Sequence, residues 1–258
     1  MVYVAHDNKP MQRRAFIGWT GALAVGSSFA ESPSTLVRMG YFDKYAPFSQ
    51  RNEDGSVTGA LIESVELVGR ACGLRFEHAA FPWVRAQLMV ERGDLDGFCT
   101  VSTTARLIYA EFCKSPLIRV DFGIYHRTDD LRPLAVRGVE DLRALRQGTY
   151  RGSGYSREHL EFDRLEVEND EESVLRRIAK GTLDTLVEGN IVTPFKLRQL
   201  GLTDRIRFTP VPFLPKADFC FGVRKSLPDA SRIVANMEAA TQAARRSGAL
   251  GAVLAKYR

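Results

Sequence analysis

The run Thr100-Val101-Ser102-Thr103-Thr104-Ala105-Arg106 gathers hydroxyls, a helix-capping residue and an arginine into a short stretch. Thr103 is of the type that caps a helix, which puts Arg106 in the first turn. Free backbone N–H groups and the helix dipole favour an anion there. A guanidinium matches a carboxylate with two parallel hydrogen bonds, so the chemistry this pattern suggests is carboxylate capture. Arg106 equally suits a salt bridge on the surface or between helices. Thr100 and Ser102 can offer hydroxyl and backbone groups to the same ligand, and Ser102 can equally do no more than support the turn.

Arg151-Gly152-Ser153-Gly154-Tyr155 is a second such place. Its glycines let backbone N–H groups come close to a ligand, with Ser153 and Tyr155 as candidate contacts. The Lys-Ser/Thr ending of a phosphate loop is missing. Trp83 stands at a helix start just after a strand, which suits the mouth of a cleft or the packing of its own half. Arg85 beside it suits an anion contact or a solvated charge. Cys72, Cys99, Cys113 and Cys220 lack metal-site spacing, and the 4 histidines form no metal cluster. No Ser-His-Asp order with a supporting motif is present. The chain therefore shows no catalytic set and implies neither a metal nor a cofactor.

These positions need elements to hold them. Of the 258 residues 45% are hydrophobic and 26% charged, an ordinary globular balance. The formal charge of +5 includes no long run of like charges, which argues against a nucleic-acid arm. Leu36 to Met39 reads as a strand, and Tyr41 to Gly55 as a loop. Leu61, Ile62, Val65, Val68 and Cys72 recur at helical spacing up to Gly73. A strand from Leu74, a helix from Pro82 to Arg92 and a strand from Leu95 to Thr100 complete a βαβαβ run, which predicts a mainly parallel sheet covered by helices. Leu117 to Tyr125 is extended and suits a crossing into a second lobe. There the pattern repeats: helices at 139–145, from Tyr155, at 171–180 and at 190–200, and strands at 148–151, near 165–167 and at 185–188. Asp218 to Val223 is the last strand, and a long helix from about Pro228 to Ser247 precedes a short one after Gly248. Two α/β lobes result: residues 31–121 with 216–258, and residues 122–215.

At the N-terminus, Gln12-Arg13-Arg14 precedes an apolar stretch, Ala15 to Ala30. Gly, Ser and Thr dilute it, and it falls short of the about 20 apolar residues of a spanning helix. Ser28-Phe29-Ala30 supplies small residues for cleavage. That order reads as a signal peptide over residues 1–30, with adjacent arginines that look like a twin-arginine export signal. A basic turn before a buried helix would use the same residues. Lys9, Arg13 and Arg14 lie in this segment against Asp7 alone, so much of the basic excess belongs to it. The expected location is the periplasm, which permits disulfides. Folding before export, in a reducing cytoplasm, favours buried free thiols instead.

Several segments resemble the family 3 periplasmic solute-binding proteins, the polar amino-acid receptors of ABC importers. Tyr45-Ala46-Pro47-Phe48 resembles the family's opening, and Gly93-Asp94-Leu95-Asp96-Gly97-Phe98 its helix-to-strand passage. Thr103-Thr104-Ala105-Arg106 is similar to its T-P-E-R motif, and Phe112 to Pro116 to the F-S-x-P that follows. Gly181-Thr182-Leu183-Asp184 looks like the matching passage of the second lobe, and Arg245 to Tyr257 like the family's ending. The likeness spans nearly all of residues 35–258. The shorter loop from Asp96 to Arg106, and Phe81-Pro82-Trp83-Val84-Arg85-Ala86, resemble a divergent branch.

The resemblance implies a two-lobed, type II periplasmic-binding-protein-like α/β fold that closes on its ligand. It implies that Arg106 grips a ligand carboxylate and that Tyr45 packs on the rest of the ligand. The family's ammonium-binding Asp falls at Gly189, so Glu188 is the candidate replacement. The expected partners are a small polar solute bearing a carboxylate and the membrane permease of an ABC importer, with no nucleic acid and a monomeric state. An enzyme on the same scaffold is the alternative: some relatives resemble cyclohexadienyl dehydratases, with Glu188 as the acid and prephenate or arogenate as discriminating substrates. A receptor for a separate membrane sensor is another.

Overall fold

A computed structural model describes residues 1–3 and 35–257, so nearly all of the expected export signal, residues 1–30, lies outside the described residues. Strand β1 (Leu36–Phe42) begins the described body. A small antiparallel flap follows, made of β2 (Lys44–Tyr45), β3 (Ser49–Arg51) and β4 (Val57–Thr58). Then come α1 (Ala60–Ala71), β5 (Arg75–Phe81), α2 (Trp83–Arg92), β6 (Gly97–Val101), α3 (Thr104–Tyr109), β7 (Ala110–Phe112) and β8 (Ile118–Val120). The second group is β9 (Phe122–Arg127), β10 (Gln147–Tyr150), α4 (Gly154–His159), β11 (Glu166–Glu168), α5 (Glu171–Lys180), β12 (Thr185–Gly189), α6 (Val192–Leu200) and β13 (Ile206–Pro210). β14 (Ala217–Arg224), α7 (Ala230–Arg246) and α8 (Ala249–Ala255) end the chain.

The first sheet runs β5-β1-β6-β14-β7, with β8 also paired to β14. β1 is parallel to β5 and β6, whereas β14 is antiparallel to its neighbours. The second sheet runs β11-β10-β12-β9-β13, with β10 parallel to both neighbours and β9 antiparallel to both of its own. Each sheet is therefore mixed, its parallel part made by the βαβ units and its antiparallel part by strands next to the crossings. The extended segment from Leu117 to Tyr125 divides at Asp121, since β8 belongs to the first sheet and β9 to the second. Asp121 sits by the returning chain, where Lys216 Nζ lies 2.7 Å from its Oδ1, and its carbonyl accepts from Asn190 N at 3.0 Å.

Helical periodicity sets the layers. α1 buries Leu61, Ile62, Val65 and Val68 against the first sheet, where α7 packs beside it. α5 buries Val174, Leu175 and Ile178 under the second sheet, capped by Asp170, which accepts from Ser173 N at 2.8 Å. The sequence predicts a helix at 139–145, but the segment is a 3-10 turn, Glu140–Ala144, with Leu142 its one buried residue. A single apolar anchor does not hold a longer helix. Tyr41 to Gly55, expected as a loop, instead extends β1 to Phe42 and builds most of the flap. The cysteines are free thiols, with Cys72 half-buried and Cys99, Cys113 and Cys220 buried.

The two helix-to-strand passages are built alike. Gly93 and Gly181 end α2 and α5 at φ 90° and 76°. An aspartate follows each and binds arginines. Asp96 accepts from Arg38 N at 3.0 Å and also binds the guanidinium groups of Arg38 and Arg224. Asp184 accepts from Arg146 N at 2.8 Å and binds those of Arg146 and Arg132. Both carboxyls lie below their usual range: burial alone would raise them, and the arginine hydrogen bonds outweigh it.

Candidate functional site

The carboxyl ends of β1, β6, β10 and β12 meet at one cleft. In open α/β sheets this is where ligands bind. Tyr45, Trp83, Thr100, Arg106, Ser153, Tyr155 and Glu188 all line it. Ser102 does not: it is exposed and outside the lining. Residues without a motif also line the cleft, among them Phe42, Phe122, Tyr150 and Phe219. Their signal was position, since Phe42 and Tyr150 are the last residues of strands that point at the cleft.

Arg106 is 4% exposed. Its Nε donates to Gln87 Oε1 at 3.0 Å and its Nη1 to the Val101 carbonyl at 2.8 Å. The guanidinium lies over the Trp83 ring, 5.2 Å from the centroid. No carboxylate pairs with it among the described residues. Burial lowers its pKa to about 10, so it stays charged at neutral pH. A guanidinium has five N–H donors. Those left over by Gln87 and Val101 are suited to an anion in the cleft.

The helix end adds little to that anion site. Thr103 makes no capping bond with its side chain. Glu158, from α4 across the cleft, accepts from Thr104 N at 3.3 Å and from Thr104 Oγ1 at 2.8 Å. A protein carboxylate thus takes up the Thr104 N–H, one of the groups expected to face a ligand, and the guanidinium is left as the main anion contact. Further contacts join the two walls. Trp83 Nε1 donates to the Gly152 carbonyl at 3.2 Å. Gly152 has φ +82°, and a Cβ there would sit 3.0 Å from Trp83 Cδ1. A Cβ on Gly154 would sit 2.8 Å from Thr103 Cγ2 and 3.1 Å from Arg106 Nη1. The glycine turn is what lets the two walls come this close.

On the second wall, the Ser153 hydroxyl caps α4, accepting from Ser156 N at 3.3 Å. The Tyr155 ring stacks on Phe122 with centroids 3.6 Å apart, and its hydroxyl donates to the Pro215 carbonyl at 2.7 Å. Glu188 is 2% exposed, and its Oε1 accepts from Gly189 N at 2.9 Å. Its carboxyl faces the cleft, beside the Tyr150 hydroxyl, which in turn neighbours that of Tyr45. Burial and the nearby Glu171 push it up to about 8. Glu171 itself is held by Thr193 Oγ1 at 2.6 Å and Lys196 Nζ at 2.7 Å. Gly189 points elsewhere: a Cβ there would lie 2.5 Å from Val120 Cγ1. The space for a side chain at 189 is filled, and 188 is the position that turns to the cleft.

The family model of the bacterial extracellular solute-binding proteins, family 3, matches residues 37–258. The chain belongs to that family. Among solved structures, this family 3 solute-binding protein is similar to a histidine kinase sensor domain with similarity to periplasmic binding proteins. That match has 19% identity and a TM-score of 0.70, covering 87% of this chain and 96% of that one. It is also similar to an ancestral arginine-binding protein bound to arginine, at 16% identity and TM-score 0.70, over 86% and 97%. A third is the ancestral amino-acid-binding protein AncCDT-1, described as a precursor of cyclohexadienyl dehydratase, at 17% identity and TM-score 0.66, over 86% and 95%. At such identities these likenesses establish the periplasmic-binding-protein-like fold. No curated protein matches the chain. Among the described residues, no helix is long and apolar enough to cross a membrane.

Proposed function

We propose that this family 3 protein is the periplasmic binding component of an ABC importer. It binds a small carboxylate-bearing solute, an amino acid or a related compound, between residues 31–121 with 216–258 on one side and 122–215 on the other. The observation that carries this reading is Arg106, a buried cation that faces the cleft without a carboxylate partner among the described residues. Leaving a charge unpaired out of water costs several kcal/mol, and a ligand carboxylate removes that cost. The ligand touches both walls only when they are together, so its binding energy favours the closed form. A permease would read that form. Export through a twin-arginine signal places the protein where such a permease meets it.

A thermal-shift screen of amino acids, small carboxylates and polyamines tests this reading. A carboxylate should raise the melting temperature of the protein, and Arg106→Ala should remove the rise. An unchanged rise in Arg106→Ala takes Arg106 out of the site.

The raised carboxyl of Glu188 favours one second reading, an eliminating enzyme in which Glu188 protonates a leaving hydroxyl. Product formed from prephenate or arogenate, and its loss in Glu188→Gln, would establish it.

A further inference from the structure

We propose that the ligand is an aryl carboxylate: a carboxylate on a flat apolar body, with at most one cationic group. This rests on the carboxylate reading above and names the class of solute.

Charge sets the first limit. Among the described lining residues, Arg106 is the only guanidinium or ammonium and Glu188 the only carboxyl. A zwitterion satisfies both. A simple monoanion satisfies Arg106 while Glu188 keeps its proton. A basic amino acid brings a second cation into a space that already holds Arg106, with no second carboxylate to receive it.

Hydrogen-bonding capacity sets the second. A long polar side chain needs its own partners. Ser49 Oγ already donates to the Phe42 carbonyl at 2.8 Å. Ser153 caps α4, and Tyr155 donates to Pro215. The hydroxyls of Tyr41, Tyr45, Thr100 and Tyr150 also line the space, that of Tyr41 buried without a partner among the described residues, and most of the remaining wall is aromatic or aliphatic. Phe42 stacks on Tyr45 with centroids 5.6 Å apart and on Trp83 at 6.5 Å, and Phe219 lies 6.3 Å from Tyr45. Leu61 and Val101 line the cleft as well. Such a wall offers an apolar ring most of its contact area and a polar chain only a few hydroxyls.

Isothermal titration of the purified protein with L-phenylalanine, 3-phenylpropionate, L-arginine and L-lysine tests this. The better phenyl compound should bind at least about tenfold tighter than arginine or lysine. Arg106→Gln, with its fold checked by circular dichroism, should abolish that binding. If arginine or lysine binds as tightly as the phenyl compounds and Arg106→Gln abolishes both, the aryl inference is overturned and the carboxylate clamp stands. If the folded protein binds none of them, the aryl inference also fails. If the phenyl compounds bind as well to Arg106→Gln, the carboxylate clamp fails and the inference resting on it fails too.

Discussion

Two acids, Asp184 just before β12 and Glu188 near its cleft end, stand in opposite conditions. Asp184 is surrounded by the Arg146 backbone and the guanidinium groups of Arg146 and Arg132, and it stays ionised well below its usual range. Glu188 accepts from one backbone N–H, faces Glu171, and is pushed up. A few residues thus separate a finished carboxylate from an unfinished one. The first sheet repeats the contrast: Asp96 is finished by Arg38 and Arg224, while Arg106 at the cleft is an unfinished cation. Groups that hold the fold are satisfied within the protein, and groups at the cleft are left to be satisfied by what enters it.

Four substitutions break or sharpen this contrast. The largest effect is expected at Arg106. Arg106→Ala should cost about 3 kcal/mol or more of ligand affinity by calorimetry, with the fold retained. Asp184→Asn should do the reverse. It should lower stability in urea by about 2–3 kcal/mol, from lost charged hydrogen bonds, and leave ligand affinity little changed.

Third, the pH response should have opposite signs at these two acids. The folded state holds a proton on Glu188 that the unfolded chain gives up near 4.5, so the Glu188 contribution to stability should fall as pH rises from about 4.5 to about 8. Glu188→Gln should remove that fall and raise the melting temperature at pH 8–9. Asp184 has a lowered pKa, so its contribution is present above its ordinary 3.8 and is lost only as pH falls below that. The smallest effect is expected at Glu158, an exposed contact across the cleft. Glu158→Ala should weaken ligand binding by about 0.5–1 kcal/mol, chiefly through faster release.

The alternation of strands and helices, and the split of the extended crossing between two sheets, follow from periodicity that survives folding. The apolar face of α1 and the glycines after α2 and α5 are local features, so the sequence displays them. The flap was hidden because Lys44, Ser49, Gln50 and Arg51 have no strand pattern, and their pairing is fixed by packing beside β1 and β5. At the cleft, Arg106 and the glycine turn were legible from type and spacing. Thr103 misled because it occupies the capping position without making the cap, and its replacement, Glu158, lies on another element. Nothing short-range in sequence reports that approach. That no side chain fits at 189 likewise depends on Val120, which fills the space beside Gly189.

The central claim is that a carboxylate closes the two walls through Arg106. Pulsed electron spin resonance between labels at the exposed positions Leu88, on α2, and Leu131, just after β9, measures that closure directly. The distance should shorten and its distribution narrow when the bound carboxylate is added, and Arg106→Gln should show neither change. The same shortening in Arg106→Gln, or no shortening in the parent protein at saturating carboxylate, would contradict it.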